Sequence, residues 1–81
     1  MTQEFIDRSV ATAADLALLF VGTPEPDMML ALFQVRSNLE AQLAELFGPE
    51  VATLFAQAFV AAVVGHRREI DAAGAMPRVV N

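Results

Sequence analysis

The segment His66-Arg67-Arg68-Glu69 holds the only histidine of the chain and two of its five basic residues. A histidine and a carboxylate three positions apart can share a metal, as in carboxylate-bridged di-iron bundles, but those use Glu-x-x-His on facing helices. Here the order is reversed and occurs once. The motif therefore favours a structural interpretation, in which the dipole at a helix C-terminus stabilises the cationic form of His66.

Other residues with catalytic potential also lack the neighbours that catalysis needs. The chain has no cysteine, which excludes a thiol nucleophile and thiolate metal ligands. Ser9 and Ser37 have no histidine nearby in the sequence, and neither Gly-x-Ser-x-Gly nor a phosphate-binding glycine loop occurs. Asp15 interrupts an apolar stretch, but it shares a helical stripe with Glu4 and Arg8 that predicts a solvated side. We therefore predict a non-enzymatic protein with no catalytic residue, no cofactor and no metal.

Composition points to assembly with another protein rather than with nucleic acid. The net charge is −5, and the five basic residues are all arginine, too few and too dispersed for phosphate binding. Hydrophobic residues make up 56% of the chain before glycine is counted, whereas about 45–50% with glycine included is typical of soluble domains. The Ala-rich, Lys-free composition is typical of GC-rich bacterial genomes, and we expect a cytoplasmic protein.

Glycine and proline divide the chain into three helical segments. Thr2 is a good N-cap, Gly22 and Gly74 are typical helix ends, and Gly48-Pro49 ends one helix and begins the next. Because the Gly48-Pro49 link is so short, it predicts that the second and third helices form an antiparallel αα-hairpin. The prediction is thus an all-α, three-helix fold in a single domain over 1–74, completed by oligomerisation. Its helices cover about 2–21, 27–47 and 49–73, and a loosely ordered tail covers 75–81.

Apolar side chains recur at helical spacing in the first two helices. The predicted core stripe of the first helix contains Ile6, Val10, Ala13, Ala17 and Phe20, and that of the second contains Met28, Leu32, Val35, Leu39, Leu43 and Leu46.

The third helix is apolar nearly all round, since only Thr53 and Gln57 are polar between Val51 and Val64. Two helices of one small chain cover about half of such a helix, so we expect another chain to cover the rest. The apolar runs are too short to cross a bilayer, and we predict no membrane span. The predicted interface comprises Leu18, Phe20, Met29, Phe33, Phe55 and Phe59.

The predicted hairpin also assigns a role to the two adjacent arginines. In a hairpin that turns at residues 48 and 49, Arg67 and Arg68 lie close to Glu25 and Asp27, and both placements suit the helix dipoles. We expect at least one ion pair between these arginines and these carboxylates, which would fasten the proline-rich loop to the hairpin.

These features favour a small non-enzymatic interaction module, such as an adaptor, assembly chaperone or regulatory subunit, that buries apolar helix faces in a homo-oligomer or against a helical partner. An alternative is a homo-oligomeric helical protein or small enzyme subunit that binds an apolar ligand between chains. An antitoxin or immunity protein is a further alternative that the acidic charge allows.

Overall fold

The computed structural model describes residues 2–75, and within that range the chain forms three α-helices and no strand. The prediction of an all-α, three-helix fold is confirmed. The helices are α1 (Gln3–Leu19), α2 (Glu25–Phe47) and α3 (Pro49–Ala75). The tail predicted over 75–81 lies outside the described residues, except for Ala75, the last residue of α3.

Helix α1 begins at the predicted cap and ends two residues before the predicted end. The Thr2 hydroxyl accepts a hydrogen bond from the Phe5 amide at 3.2 Å. At the other end the Phe20 amide donates to the Ala17 carbonyl. The Phe20 carbonyl in turn accepts a hydrogen bond from the Thr23 amide at 2.9 Å. This tight turn closes the helix before Gly22, which adopts a positive φ of 88°.

Helix α2 begins two residues earlier than predicted. Pro24 occupies the N-cap position in an extended conformation, and its carbonyl accepts from the Met28 amide at 3.0 Å. Pro26 then lies in the first turn, where the missing amide proton costs nothing. The helix ends at Gly48, whose φ of 88° and ψ of 162° suit glycine almost alone.

Helix α3 runs two residues beyond the predicted end and passes through Gly74. A glycine ends a helix by adopting a positive φ, and in the described chain only Gly22 and Gly48 do so. Gly74 therefore lowers helix propensity without ending the helix.

Helix α3 is the central element, because it packs against both α1 and α2, whereas α1 and α2 do not pack along each other within the described chain. The two outer helices meet through side chains at one end, where the ring of Phe5 lies 6.1 Å from that of Phe47 and 5.4 Å from that of Phe55. The molecule measures 54 × 28 × 16 Å, a flat shape that follows from this arrangement.

Small side chains make up half of the buried apolar residues, whereas many large apolar side chains lie at the surface. Half of the buried apolar residues in the described chain are alanines, and the others are Met28, Leu32, Leu43 and Val63. Twelve large apolar side chains are exposed instead: Ile6, Val10, Leu18, Leu19, Val21, Met29, Leu30, Phe33, Leu46, Phe47, Val51 and Leu54. Ile6, Val10 and Leu46 belong to the predicted core stripes, so those stripes are only partly buried within one chain.

Candidate interaction surface

One side of α3 faces away from both other helices and exposes mainly apolar residues. Its exposed residues, which we call the α3 face, are Val51, Leu54, Gln57, Ala58, Ala61 and Gly65. Apart from Gln57 they recur at intervals of three or four, and the opposite side of the helix carries the buried Ala52, Ala56 and Val63. Gln57 is the one polar side chain of the α3 face, so about four turns of this helix expose an almost continuous apolar strip to water.

Shallow grooves on each side of α3 extend this apolar surface. Toward α1, a groove of about 130 Å³ is lined by Ile6 and Val10 together with Ala58 and Phe59. Its walls are almost entirely apolar, since the only polar side chain that lines it is that of Ser9.

Toward α2, a second groove of about 340 Å³ lies beside the α3 face. Met29 and Arg36 of α2 line it together with Gln57, Ala61 and Gly65 of α3. Met29 is one of the predicted interface residues, and Phe33 lies one turn further along the same side of α2. Both are exposed, so α2 adds apolar side chains to this edge of the α3 face.

A third groove, of about 380 Å³, lies on the opposite side of the layer, where α1 and α2 diverge over α3. Phe5 of α1, Val35 and Leu39 of α2, and Phe55 and Phe59 of α3 supply its apolar walls. Arg8, Ser9 and Thr12 form a polar rim along α1.

The predicted interface residues divide into two groups. Leu18, Met29 and Phe33 are exposed. Phe20, Phe55 and Phe59 are half-buried, because Phe20 and Phe59 pack against the chain's own core and Phe55 packs on the ring of Phe5. The structure thus packs the three phenylalanines of the second group partly into the molecule and leaves Leu18, Met29 and Phe33 at its surface.

Arg67 is the buried member of the arginine pair, with a side chain that is 11% exposed. Its guanidinium donates to the Thr23 carbonyl at 2.6 Å and to the Asp71 carboxylate at 2.9 Å. The third contact, at 3.3 Å, joins Nη1 to the sulfur of buried Met28. These bonds compensate the burial of the charge, and they connect α3 to the loop between α1 and α2.

Arg68 lies at the surface and contacts the beginning of α2. Its Nη2 atom is 3.2 Å from Oε1 of Glu25, and both side chains are more than half exposed. Asp27 makes no ion pair within the described residues. Of the four residues predicted to form the ion pair, the structure therefore joins Arg68 to Glu25, while Arg67 binds a backbone carbonyl that sequence reasoning did not identify.

The remaining candidates for chemistry do not converge on a site. His66 Nδ1 lies 4.0 Å from Oε2 of the exposed Glu69, one turn along the same helix, and Asp15 is exposed on α1. Within residues 2–75 no three histidine or carboxylate side chains come close enough together to hold a metal ion. The His66–Glu69 pair is thus a local helix contact.

Helix α3 also has the length and composition of a membrane-spanning helix over Pro49–Gly74. Length and composition alone are weak evidence, since a core helix of a soluble protein has the same properties. A core helix is mostly buried, however, and only 17% of the most apolar part of α3 is buried within this chain. Most of α3 is therefore left exposed by the other two helices of this chain.

No protein-family model, curated protein or solved structure gives a significant match to this chain.

Sequence reasoning missed the α3 face as a defined surface. It recognised that the helix is apolar all round, but Val51, Leu54, Ala58 and Ala61 belong to the same run as the buried Ala56. Where every position is apolar, periodicity does not distinguish the side that packs within the chain from the side that remains exposed.

Proposed function

We propose that this protein is a non-enzymatic interaction module, an adaptor, assembly chaperone or regulatory subunit, that acts by burying apolar helix faces against another polypeptide. The observation that carries the proposal is the inverted distribution of apolar side chains. Alanines make up half of the buried apolar residues in the described chain, while Leu54 is 69% exposed and Phe33 is 64% exposed. Burying a leucine side chain stabilises an assembly by about 1.5–3 kcal/mol, so several together supply a strong driving force for association.

The proposed architecture is an antiparallel hairpin of α2 and α3, with α1 on the other side of α3, completed by oligomerisation. Two observations support the antiparallel direction of the hairpin. Gly48 is the one residue between the two helices, and Arg68, late in α3, reaches Glu25, the first residue of α2. Such a flat unit leaves one side of α3 uncovered, which suits a subunit of a larger assembly.

The mass of the chain in solution tests this proposal. We expect sedimentation equilibrium at micromolar concentration to give a multiple of the 8.7 kDa chain mass, and thermal unfolding that shifts to higher temperature as the concentration rises. A mass of one chain, with a cooperative unfolding transition that does not depend on concentration, would contradict the proposal.

A second candidate function, binding of an apolar ligand, is favoured by the groove where α1 and α2 diverge. Its volume of about 380 Å³ falls within the roughly 300–1,000 Å³ of small-molecule sites, and aromatic walls are typical of such sites. Native mass spectrometry distinguishes the two candidates. A retained small molecule, displaced when Phe59 is changed to Arg, favours ligand binding, whereas an assembly of bare chains favours the interaction module.

A further inference from the structure

We infer that the partner of the α3 face is the α3 face of a second copy of this chain, packed antiparallel to the first. This inference rests on the proposed function and names the partner for it. Three observations carry it: the charges at the two ends of the face, the neutrality between them, and the area that the surface offers.

One edge of the α3 face carries an acid at its N-terminal end and a base at its C-terminal end. The base also pairs with Glu25 of its own chain, and Glu69 is exposed at the opposite edge of that end. Glu50 and Arg68 are both exposed, and 18 residues separate them, which is about five full turns at 3.6 residues per turn. They therefore lie in line, about 27 Å apart. Between Glu50 and Arg67 the sequence has no charged residue.

This charge arrangement is self-complementary in one direction only. When two α3 helices cross antiparallel near Phe59, Glu50 of each copy lies level with Arg68 of the other, which makes two reciprocal pairs. A parallel arrangement would instead bring like charges together at each end. Like charges in an interface are destabilising, and the antiparallel arrangement also aligns the helix dipoles favourably.

The α3 face, together with its flanks, suits a stable dimer. The α3 face is about 27 Å long and about one helix diameter, 10–12 Å, wide, so it projects about 300 Å² per chain. A standard interface of roughly 800 Å² per partner therefore also needs the flanks on α1 and α2. The flanks are apolar as well, with Ile6 and Val10 on one side and Met29 on the other. Ala58, Ala61 and Gly65 lie where the two helices cross, so their backbones can approach closely.

A bilayer suits the same face less well. The stretch from Val51 to Gly65 rises about 22 Å as a helix, short of the roughly 30 Å hydrocarbon core. Beyond it come the charged residues Arg67, Arg68 and Glu69. The other side of α3 is already covered by two helices with exposed charges, such as Asp7 and Asp15 on α1.

A matched pair of leucine substitutions tests the inference. Leu54 is the most exposed large apolar side chain of the α3 face, at 69%. Leu30 is similarly exposed, at 71%, but it lies on the outer side of α2, because it is two residues, about 200° around the helix, from the buried Met28. We expect Leu54→Glu to raise the dimer dissociation constant at least about 100-fold in sedimentation equilibrium, because the substitution enters a symmetric interface twice. Leu30→Glu should keep the wild-type mass, and circular dichroism should show both variants equally helical.

Cysteine cross-linking tests the orientation, since the chain has no cysteine of its own. In the antiparallel arrangement Leu54 lies within one residue, about 1.5 Å along the axis, of the level of Gly65 of the second copy, whereas the two copies of Leu54 are about 15 Å apart along the axis, too far for a disulfide. A Cβ added at Gly65 meets nothing within 4 Å in the isolated chain. We expect a mixture of Leu54→Cys and Gly65→Cys chains to form a mixed disulfide on mild oxidation, faster than either chain alone.

The outcomes separate this inference from the proposed function. A wild-type oligomer that Leu54→Glu leaves intact overturns the α3–α3 pairing while the interaction module stands, and rapid self-linking of Leu54→Cys overturns the antiparallel direction. A wild-type chain that is monomeric in buffer overturns both. If that monomer also floats with phosphatidylcholine vesicles, the face belongs to a bilayer instead.

Discussion

The contrast between Arg67 and Arg68 gives the sharpest test of the interactions that hold the three helices together. The two residues are adjacent and have the same chemistry, yet the Arg67 side chain is 11% exposed and that of Arg68 is 72% exposed. We predict that Arg67→Ala destabilises the fold by about 2.5–5 kcal/mol and Arg68→Ala by about 0–1 kcal/mol.

The magnitude for Arg67 follows from its contacts. The short bond to the half-buried Thr23 carbonyl is charge-assisted, and such bonds contribute about 1.5–3 kcal/mol. The bond to Asp71 contributes about 0–1 kcal/mol, because that carboxylate is half exposed. Loss of the buried aliphatic stem of Arg67 adds about 1 kcal/mol. Arg68 has only its exposed pair with Glu25, which is screened by solvent.

The assay is urea or thermal unfolding followed by circular dichroism, with all variants at the same chain concentration so that association does not distort the comparison. For a domain of this size, 1 kcal/mol corresponds to about 4–8 °C in Tm. Arg67→Met serves as a control that keeps the apolar stem and removes the charge, and it should recover about 1 kcal/mol of the loss. Equal losses for Arg67→Ala and Arg68→Ala would refute the reasoning, because they would mean that the bond to Thr23 contributes nothing.

Three further predictions concern the turn, the helix and the surface. Gly48→Ala should destabilise the chain by about 1–3 kcal/mol in urea unfolding, because a residue with a side chain is strained at a φ of 88° with an extended ψ. An unchanged urea midpoint would show that the turn relaxes freely. Gly65→Ala should instead stabilise the chain by about 0.5–1 kcal/mol when measured in the Leu54→Glu background. The new methyl group meets nothing within 4 Å, and alanine favours the helix. A loss of stability in that background would mean that Gly65 is already packed. Leu18→Glu and Met29→Glu should each weaken the assembly while leaving the chain helical, and a wild-type sedimentation mass for both would place the interface elsewhere.

Much of the local structure could be predicted from the sequence, because it depends on near neighbours. Thr2 and Gly48 mark helix ends through their own hydrogen-bonding and backbone preferences. The ends that differed, at Leu19, Glu25 and Ala75, moved by two residues. There a tight turn, an extended Pro24 and the absence of a positive φ at Gly74 decided the boundary.

The surface was less predictable, because exposure depends on where the other helices lie. Val10 and Leu46 continue the apolar stripes of their helices, yet both are exposed. The physical reason is the flat arrangement, in which each outer helix packs along α3 but not along the other outer helix. The apolar stripe of each outer helix is wide enough to pack along two helices. Because it packs along α3 alone, part of the stripe remains in water.

The sequence by itself determined that the chain is helical and where it turns. It also determined that the chain is rich in apolar residues, and that Arg67 and Arg68 lie near the carboxylates at the beginning of α2. These properties reside in composition, spacing and the preferences of glycine and proline. Only the tertiary structure decided which side of α3 remains exposed, and that Arg67 rather than Arg68 enters the interior to bind Thr23. In a helix with apolar residues on every side, burial is set by which neighbours arrive and from which direction, and local sequence does not specify that.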